Sequence, residues 1–343
     1  MARSLPLLLL ALLAGCASTI PADPSPRAPV ELPAAVTARF AYTADVASVS
    51  LTRDWEDDEV EVFSGLLPVS VPRSAHPGGG EGGAPPDDGT FSAKFEYWRS
   101  KSAPAKAPVV LITPILGGGK TLARWNCYDF ANAGFHVVLA WRNTRVLREY
   151  WDIEACERWM RKAIGARRGL VDWIQTRPEM DGERVVAFGA SMGGIITSVL
   201  LGLEPRLKAG AMALAGGDIP SILSVSSEGR LARYWAARLE ETGLGPTALE
   251  QLQRGKFPSD PLAIAPAVDA RKVVMVTTGL DTVVPLENQL LLWRALGKPL
   301  RFHLPVGHYT AILYLNGITE RVIEFYRGRL AQEPTAPPLA RAR

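Results

Sequence analysis

The sequence predicts an α/β protein: a doubly wound, mostly parallel sheet of about eight strands, helices on both faces, and a helical insert acting as a cap. Three observations carry this expectation. Between residues 109 and 327, short apolar runs alternate with segments of helical length, the rhythm of repeated strand–helix–strand units. The runs VVLIT (109–113), HVVLAW (136–141), RVVAFG (184–189) and KVVMVTTG (272–279) are nearly continuous in apolar residues, as strands covered on both faces must be. The rhythm breaks over 217–266, where no clear strand occurs and 229–241 reads as an amphipathic helix; that stretch is the cap. The 343 residues, 47% hydrophobic and 21% charged, allow a large core. The net charge of +3 is too small and diffuse to imply a nucleic-acid partner.

The first residues, MARSLPLLLLALLAGC, hold one early charge, Arg3, then an apolar run from Leu5 to Leu13, then small residues. This is the layout of a secretory signal over 1–15, too short to span a bilayer. Leu13-Ala14-Gly15-Cys16 resembles the bacterial lipobox. That resemblance implies a diacylated Cys16 as the mature first residue and the membrane as a partner through this anchor. Ala17 after it resembles the signal for transfer to the outer membrane, so the expected location is the cell envelope, facing the periplasm or the surface. An ordinary cleaved signal with an incidental cysteine is the alternative. Residues 16–37, rich in Pro, Ala and Ser, are expected to be a flexible, lipid-anchored linker. Cys127 and Cys156 either form one disulfide in an oxidising compartment or stay as two buried thiols.

The folded domain is expected over 38–330. DEVEVF (58–63) and FSAKFEYW (91–98) alternate polar and apolar residues and read as half-buried strands. Between them, 72–90 carries six glycines and four prolines and is expected to be a mobile loop. Helices are expected at 121–132, 154–176, 192–203, 286–297 and 309–327, with further strands at 209–216 and 301–305. Helix 154–176 has a stripe of Ala155, Trp159, Ala163, Ala166, Leu170 and Ile174 facing the core. Its other side holds Arg158, Arg161, Lys162, Arg167 and Arg168. That side is expected to be solvated rather than to dock on anionic lipid. Residues 331–343 are expected to be a disordered tail.

Gly189-Ala190-Ser191-Met192-Gly193 fits G-x-S-x-G between a strand and a helix, the context of a nucleophile elbow. The serine sits on a sharp, strained turn, so its neighbours must be small. A serine hydroxyl needs a base, and the chain must supply an acid and then a histidine, each just past a strand. Asp281 follows the 272–279 strand and His308 follows the 301–305 strand. His136 and His303 fall inside strands, and His76 lies in the Gly/Pro loop. Asp260 and Asp269 are the rival acids; Asp260 reads as a turn cap and Asp269 lies at the wrong end of its strand. An oxyanion hole needs two backbone N–H groups. Met192 is expected to give one, and Ile115 or Leu116, after the 109–113 strand, the other. Gly117-Gly118-Gly119-Lys120 has no phosphate-loop register.

From about 45 to 328 the chain resembles the α/β-hydrolase superfamily, on GASMGG, TGLDTVVP and VGHYT. The PILGGG turn and compact insert resemble the dienelactone-hydrolase and acyl-esterase branches; the His-Gly usual at that turn is replaced by Thr113-Pro114. The resemblance implies a serine hydrolase acting on a small-molecule or lipid-like carboxylic ester through Ser191, Asp281 and His308, with no metal or organic cofactor. Acyl transfer to an envelope lipid or sugar, serine peptidase activity and a non-catalytic envelope-binding module are the alternatives. Ile219, Ile222, Leu223, Leu231, Tyr234, Trp235 and Leu239 in the cap form either a pocket wall or glue between cap and sheet. Trp141 and Trp151 flank the pocket or belong to the core.

Overall fold

A computed structural model describes residues 17–72, 89–116, 120–141, 147 and 151–332. The expectations for the signal at 1–15, for Cys16 and His76, for Gly117–Gly119, and for most of the 72–90 loop and the 331–343 tail lie outside the described residues.

The core of the sheet is six parallel strands, in the order β7 (His136–Ala140), β6 (Ala107–Thr113), β8 (Met180–Ala190), β9 (Leu207–Ala213), β10 (Val273–Thr278) and β11 (Leu300–Leu304). They form because their apolar runs are buried on both sides: β6 is VVLI over 109–112 and almost wholly inaccessible, and β7 and β10 are buried at every position. Helices Ile153–Gln175, Met192–Leu203 and Leu286–Ala295 cover one face, and Lys120–Asn132 and Leu315–Ala331 cover the other. From β6 the chain moves outward to β7, then returns to pair β8 on the other side of β6. The β6/β8 border is therefore the topological switch point, where the loops after the strands part and leave a crevice.

Eleven strands are present among the described residues rather than about eight. The additions are short edge strands from the amino-terminal part: β1 (Ser18–Ile20), β2 (Thr43–Ala44) and β3 (Leu51–Glu56). β2 and β3 pair β4 (Val60–Ser70), and β4 pairs β5 (Thr90–Ser100) in an eleven-residue antiparallel register. β1 corrects the linker expectation. It pairs antiparallel with β11. The following stretch is also held down: Arg27 donates to the carbonyls of Ala265 and Pro266, Val30 N donates to Pro266 O, and Ala34–Arg39 is helical. Backbone pairing and one guanidinium fix a segment whose composition alone reads as a spacer. At the other end, the expected 309–327 helix begins as a 3₁₀ segment, Thr310–Tyr314, before Leu315–Ala331.

The arginine face of Ile153–Gln175 is not solvated throughout. Arg167 is buried, donating to Thr113 Oγ1 (2.8 Å), Ala163 O (2.8 Å) and Ala140 O (3.3 Å). Arg168 donates to Phe40 O and lies over the Tyr42 ring. The helix is sandwiched between the parallel sheet and the β2–β4 region, which the amphipathic pattern cannot reveal. Cys127 and Cys156 are free thiols in the cores of opposite faces of the sheet, so the disulfide alternative is ruled out by the sheet between them. Burial pushes the Cys156 thiol up to about 12 and Cys127 well above its ordinary value.

His136 is buried at the start of β7, accepts a hydrogen bond from Ser100 N, and meets Tyr97 edge-on. Burial pushes its pKa down to about 4, against an upward pull from Glu179. The unfolded chain therefore binds a proton below its ordinary value of about 6.5, whereas the native chain does so only near 4. Native stability should fall by on the order of 3 kcal/mol as pH drops across that window. Urea titrations of His136→Gln should show this acid limb flattened; an unchanged limb would assign the acid sensitivity elsewhere.

Candidate active site

β8 runs straight into the elbow and helix Met192–Leu203. Ser191 has φ 53° and ψ −125°, a left-handed conformation that an L residue holds only when its surroundings enforce it. The glycines explain how the turn fits. A Cβ at Gly189 would meet Gly193 O at 2.2 Å, and one at Gly193 would meet Thr113 O at 2.1 Å. Both contacts are backbone and have no room to yield. The second also shows that the elbow abuts the turn after β6, on which Ile115 and Leu116 sit. The helix directs its positive end at the elbow. Ser191 N donates to Ala213 O (2.8 Å), tying the elbow to β9.

His308, in the loop after β11, brings Nε2 to 3.0 Å from Ser191 Oγ and Nδ1 to 2.8 Å from Asp281 Oδ2. Asp281 is buried in the loop after β10. Its Oδ1 accepts from Val283 N and Val284 N, both at 2.9 Å; its Oδ2 also accepts from Thr278 Oγ1 (2.9 Å) and Gln289 Nε2 (3.2 Å). Burial alone raises the Asp281 pKa, but the hydrogen bond and charge of His308, then Val284 N and Thr278, outweigh it and leave the carboxyl below its ordinary value. An ionised carboxylate there fixes the imidazole with its proton on Nδ1, leaving Nε2 free to accept from the serine.

Thr278 and Gln289 went unnoticed in the sequence. Thr278 ends a strand whose last two residues, Thr277 and Thr278, break an apolar run. Gln289 is fully buried in helix Leu286–Ala295 and also donates to Val284 O, holding the Asp281 loop closed. Arg167 was missed too: beneath the turn after β6, it holds Thr113 by the hydroxyl. The rival acids lie apart from this group. Asp260 accepts from Asp218 N, Ile219 N and Leu262 N, joining the two ends of the cap; Asp269 caps the 3₁₀ turn before β10. His303 sits in β11 against Thr277 Oγ1.

Ser191 opens onto two cavities. One, of about 60 Å³, is lined by Leu116, Trp151, Met192, Leu223, Phe257 and Val284 among other apolar residues and lies under the cap. The other, of about 540 Å³, is bounded by His308, Thr113, Ile115, Leu116, Tyr309 and Ile312 among others. The cap residues divide between the two alternatives. Ile219, Ile222, Leu223 and Leu231 line the small cavity, while Tyr234, Trp235 and Leu239 pack into or against the core. Trp151 lines the small cavity; Trp141 packs against the other core.

No protein-family model matches this sequence, and no curated protein matches it. Solved structures do. An acetyl xylan esterase from Thermoanaerobacterium sp. superposes with a TM-score of 0.62 at 17% identity, covering 81% of this chain and 88% of that one. An acetyl xylan esterase from Paenibacillus sp. R4 gives 0.60 at 16% identity, covering 84% and 90%. The acylaminoacyl peptidase of Pyrococcus horikoshii gives 0.54 at 16% identity over 82% of this chain but only 49% of its own. The architecture shared with them is the α/β-hydrolase fold.

Proposed function

We propose that the protein is a serine hydrolase that cleaves a carboxylic ester through an acyl-enzyme, and that it is held in the bacterial cell envelope by lipid on Cys16. The observation that carries the reaction is the continuous chain of hydrogen bonds from Ser191 Oγ through His308 to Asp281, at the mouth of both cavities. In this mechanism Ser191 Oγ attacks the ester carbonyl while His308 Nε2 takes its proton. Asp281 stays ionised and stabilises the imidazolium. Met192 N and a backbone N–H of the 115–116 turn stabilise the oxyanion, each such donor contributing about 2.7–4 kcal/mol. His308 then gives its proton to the leaving alkoxide, and the alcohol departs. Water, deprotonated by His308, hydrolyses the acyl-serine and restores the enzyme.

The leaving oxygen must lie near His308 Nε2, so the alcohol belongs in the larger cavity, which His308 lines. The acyl group then takes the small apolar cavity, whose volume suits a short chain. Leu223→Ala should extend that cavity and move the preferred acyl length upward by about two carbons among p-nitrophenyl esters. A wild-type length profile that the change leaves in place would put the acyl group elsewhere. The reaction itself is tested by exposing the folded wild type to a fluorophosphonate and locating the added mass. Modification of the peptide containing Ser191 supports an activated serine, and no modification would sink the hydrolase reading. Product analysis with an added alcohol separates hydrolysis from acyl transfer.

A further inference from the structure

β1 runs antiparallel to β11, with Ser18 opposite His303 and Ile20 opposite Arg301. β11 runs from 300 to 304, so the chain enters the described structure at the carboxyl end of the parallel strands. That is the edge that carries Ser191 and His308. Ala17 packs against the core there. Cys16 is two residues from the hydrogen-bonded Ser18, a reach of about 7 Å. Four strand spacings separate β1 from β8, about 19 Å across the sheet. The anchor expected at Cys16 is therefore short and attached at the edge of the sheet that carries the site, not a long tether on which the domain could turn freely.

The same edge is unusually apolar. Ten large hydrophobic side chains are exposed among the described residues, and five of them lie on segments that follow the strands at this edge: Val225, Leu280, Tyr309, Ile312 and Leu313, at 44–70% exposure, of which Tyr309 and Ile312 also line the larger cavity. The loops that bear them are joined. Leu280 N donates to Val306 O, Ala311 N to Gly307 O, and Ser227 N to Thr282 O. The other five, Val30, Leu66, Trp125, Leu244 and Leu252, each lie on a separate segment. An exposed apolar rim carried on joined loops marks an interaction surface, and the position of the anchor says which. Two acyl chains hold their cysteine at the bilayer interface, and a link of about 7 Å to Ser18 brings the carboxyl edge of the sheet, which bears this rim, toward that interface.

We propose that the carboxyl edge of the sheet docks on the lipid bilayer that receives the Cys16 anchor, so that the site opens into the membrane and draws an amphiphilic, lipid-borne ester from it. The docking rests on the lipid-anchor reading, and the choice of substrate rests on the hydrolase reading. The larger, mostly apolar cavity takes the part of that ester too insoluble to arrive through water.

The test uses the full chain carrying its lipid, reconstituted in vesicles of phosphatidylethanolamine and phosphatidylglycerol. A polarity-sensitive fluorophore is attached in turn to Leu313→Cys and to Glu183→Cys; Glu183 lies near the start of β8 at the opposite edge. The native Cys127 and Cys156 are buried. The expected result is a blue shift and quenching by spin-labelled lipid at 313 and neither at 183. Equal access of aqueous iodide to both labels overturns the docking, as does a chain that remains in the aqueous phase. Shielding at 313 that appears in detergent and grows with protein concentration assigns the rim to a second copy and also overturns it. Rates on p-nitrophenyl acetate in the same samples read the hydrolase proposal separately: docked but inactive protein sinks that proposal alone. Val225→Ser combined with Leu313→Ser should slow hydrolysis of a vesicle-borne ester by about tenfold and leave the soluble ester within about twofold. Equal slowing on both esters overturns uptake from the bilayer.

Discussion

Ser191→Ala should lower kcat on a soluble aryl ester by about 10⁴- to 10⁶-fold while leaving thermal stability nearly unchanged. The two halves of this expectation have separate causes. In the proposed mechanism activity is lost because no other hydroxyl is hydrogen-bonded to His308 Nε2 among the described residues, and nucleophile and base act as one unit. His308→Ala should therefore cost about as much, and the double variant little more than either. Stability survives because Ser191 Oγ makes a single hydrogen bond among the described residues, to His308 Nε2, while the strained backbone at φ 53° is borne equally by alanine. The backbone bond from residue 191 to Ala213 O also persists. A loss below about a hundredfold would assign the nucleophile elsewhere; a large fall in melting temperature would point to a structural role for the hydroxyl. Residual activity over water should come from the backbone donors and cavities that the substitution leaves intact.

The site was more legible in the sequence than the surface that carries it. Ser191, Asp281 and His308 each follow a strand in a parallel sheet, and such strands deliver their loops to one edge. Order along the chain thus became proximity in space. Gly189 and Gly193 were legible for a local reason, since only glycine at 189 allows the elbow to close on Gly193, and only glycine at 193 allows it to touch the turn at Thr113. What stayed hidden depended on distant partners. β1 is three residues long in a Pro-rich stretch, and its pairing with β11 joins segments nearly 300 residues apart, which no local pattern records. Arg167 sits among other arginines on an amphipathic helix and reads as a surface charge. Only the neighbouring Thr113 hydroxyl and two carbonyls make it a buried strut. Thr278 is a polar residue ending an apolar strand, a visible anomaly, whereas Gln289 follows Glu287 and Asn288 in a mixed helix and does not stand out; the target of both became clear only when the loop closed around Asp281. The separation of Cys127 from Cys156 by the sheet is likewise a fact of topology.

Asp281→Asn should lower kcat by about 10⁴-fold, and the hydrogen bonds around this side chain explain the size. Oδ1 accepts from two backbone amides, Val283 N and Val284 N. An asparagine must keep its carbonyl oxygen there, because an NH₂ would face two N–H donors. The NH₂ then replaces Oδ2, where Thr278 Oγ1, Gln289 Nε2 and His308 Nδ1 converge. The threonine hydroxyl can turn and accept instead. The Gln289 amide cannot turn freely, since its Nε2 donates to Val284 O and its oxygen accepts from Thr278 N. His308 Nδ1 must become the acceptor, which moves the ring proton to Nε2 and points it at Ser191. The base is then occupied by its own proton, although every atom stays in position. Asp281→Ala removes the oxygen and the amide together and leaves the tautomer unfixed, so it should retain more activity than the nearly isosteric asparagine. That ordering distinguishes tautomer control from simple loss of charge; asparagine as the more active variant would contradict it. The pH dependence of stability supplies a second check. The native carboxyl lies below its ordinary value, so ionised Asp281 stabilises the fold above about pH 4, and this contribution is lost as acid protonates the native carboxyl. The stability gap between wild type and Asp281→Asn should therefore be wide at pH 7, persist to about pH 4, and close only below it.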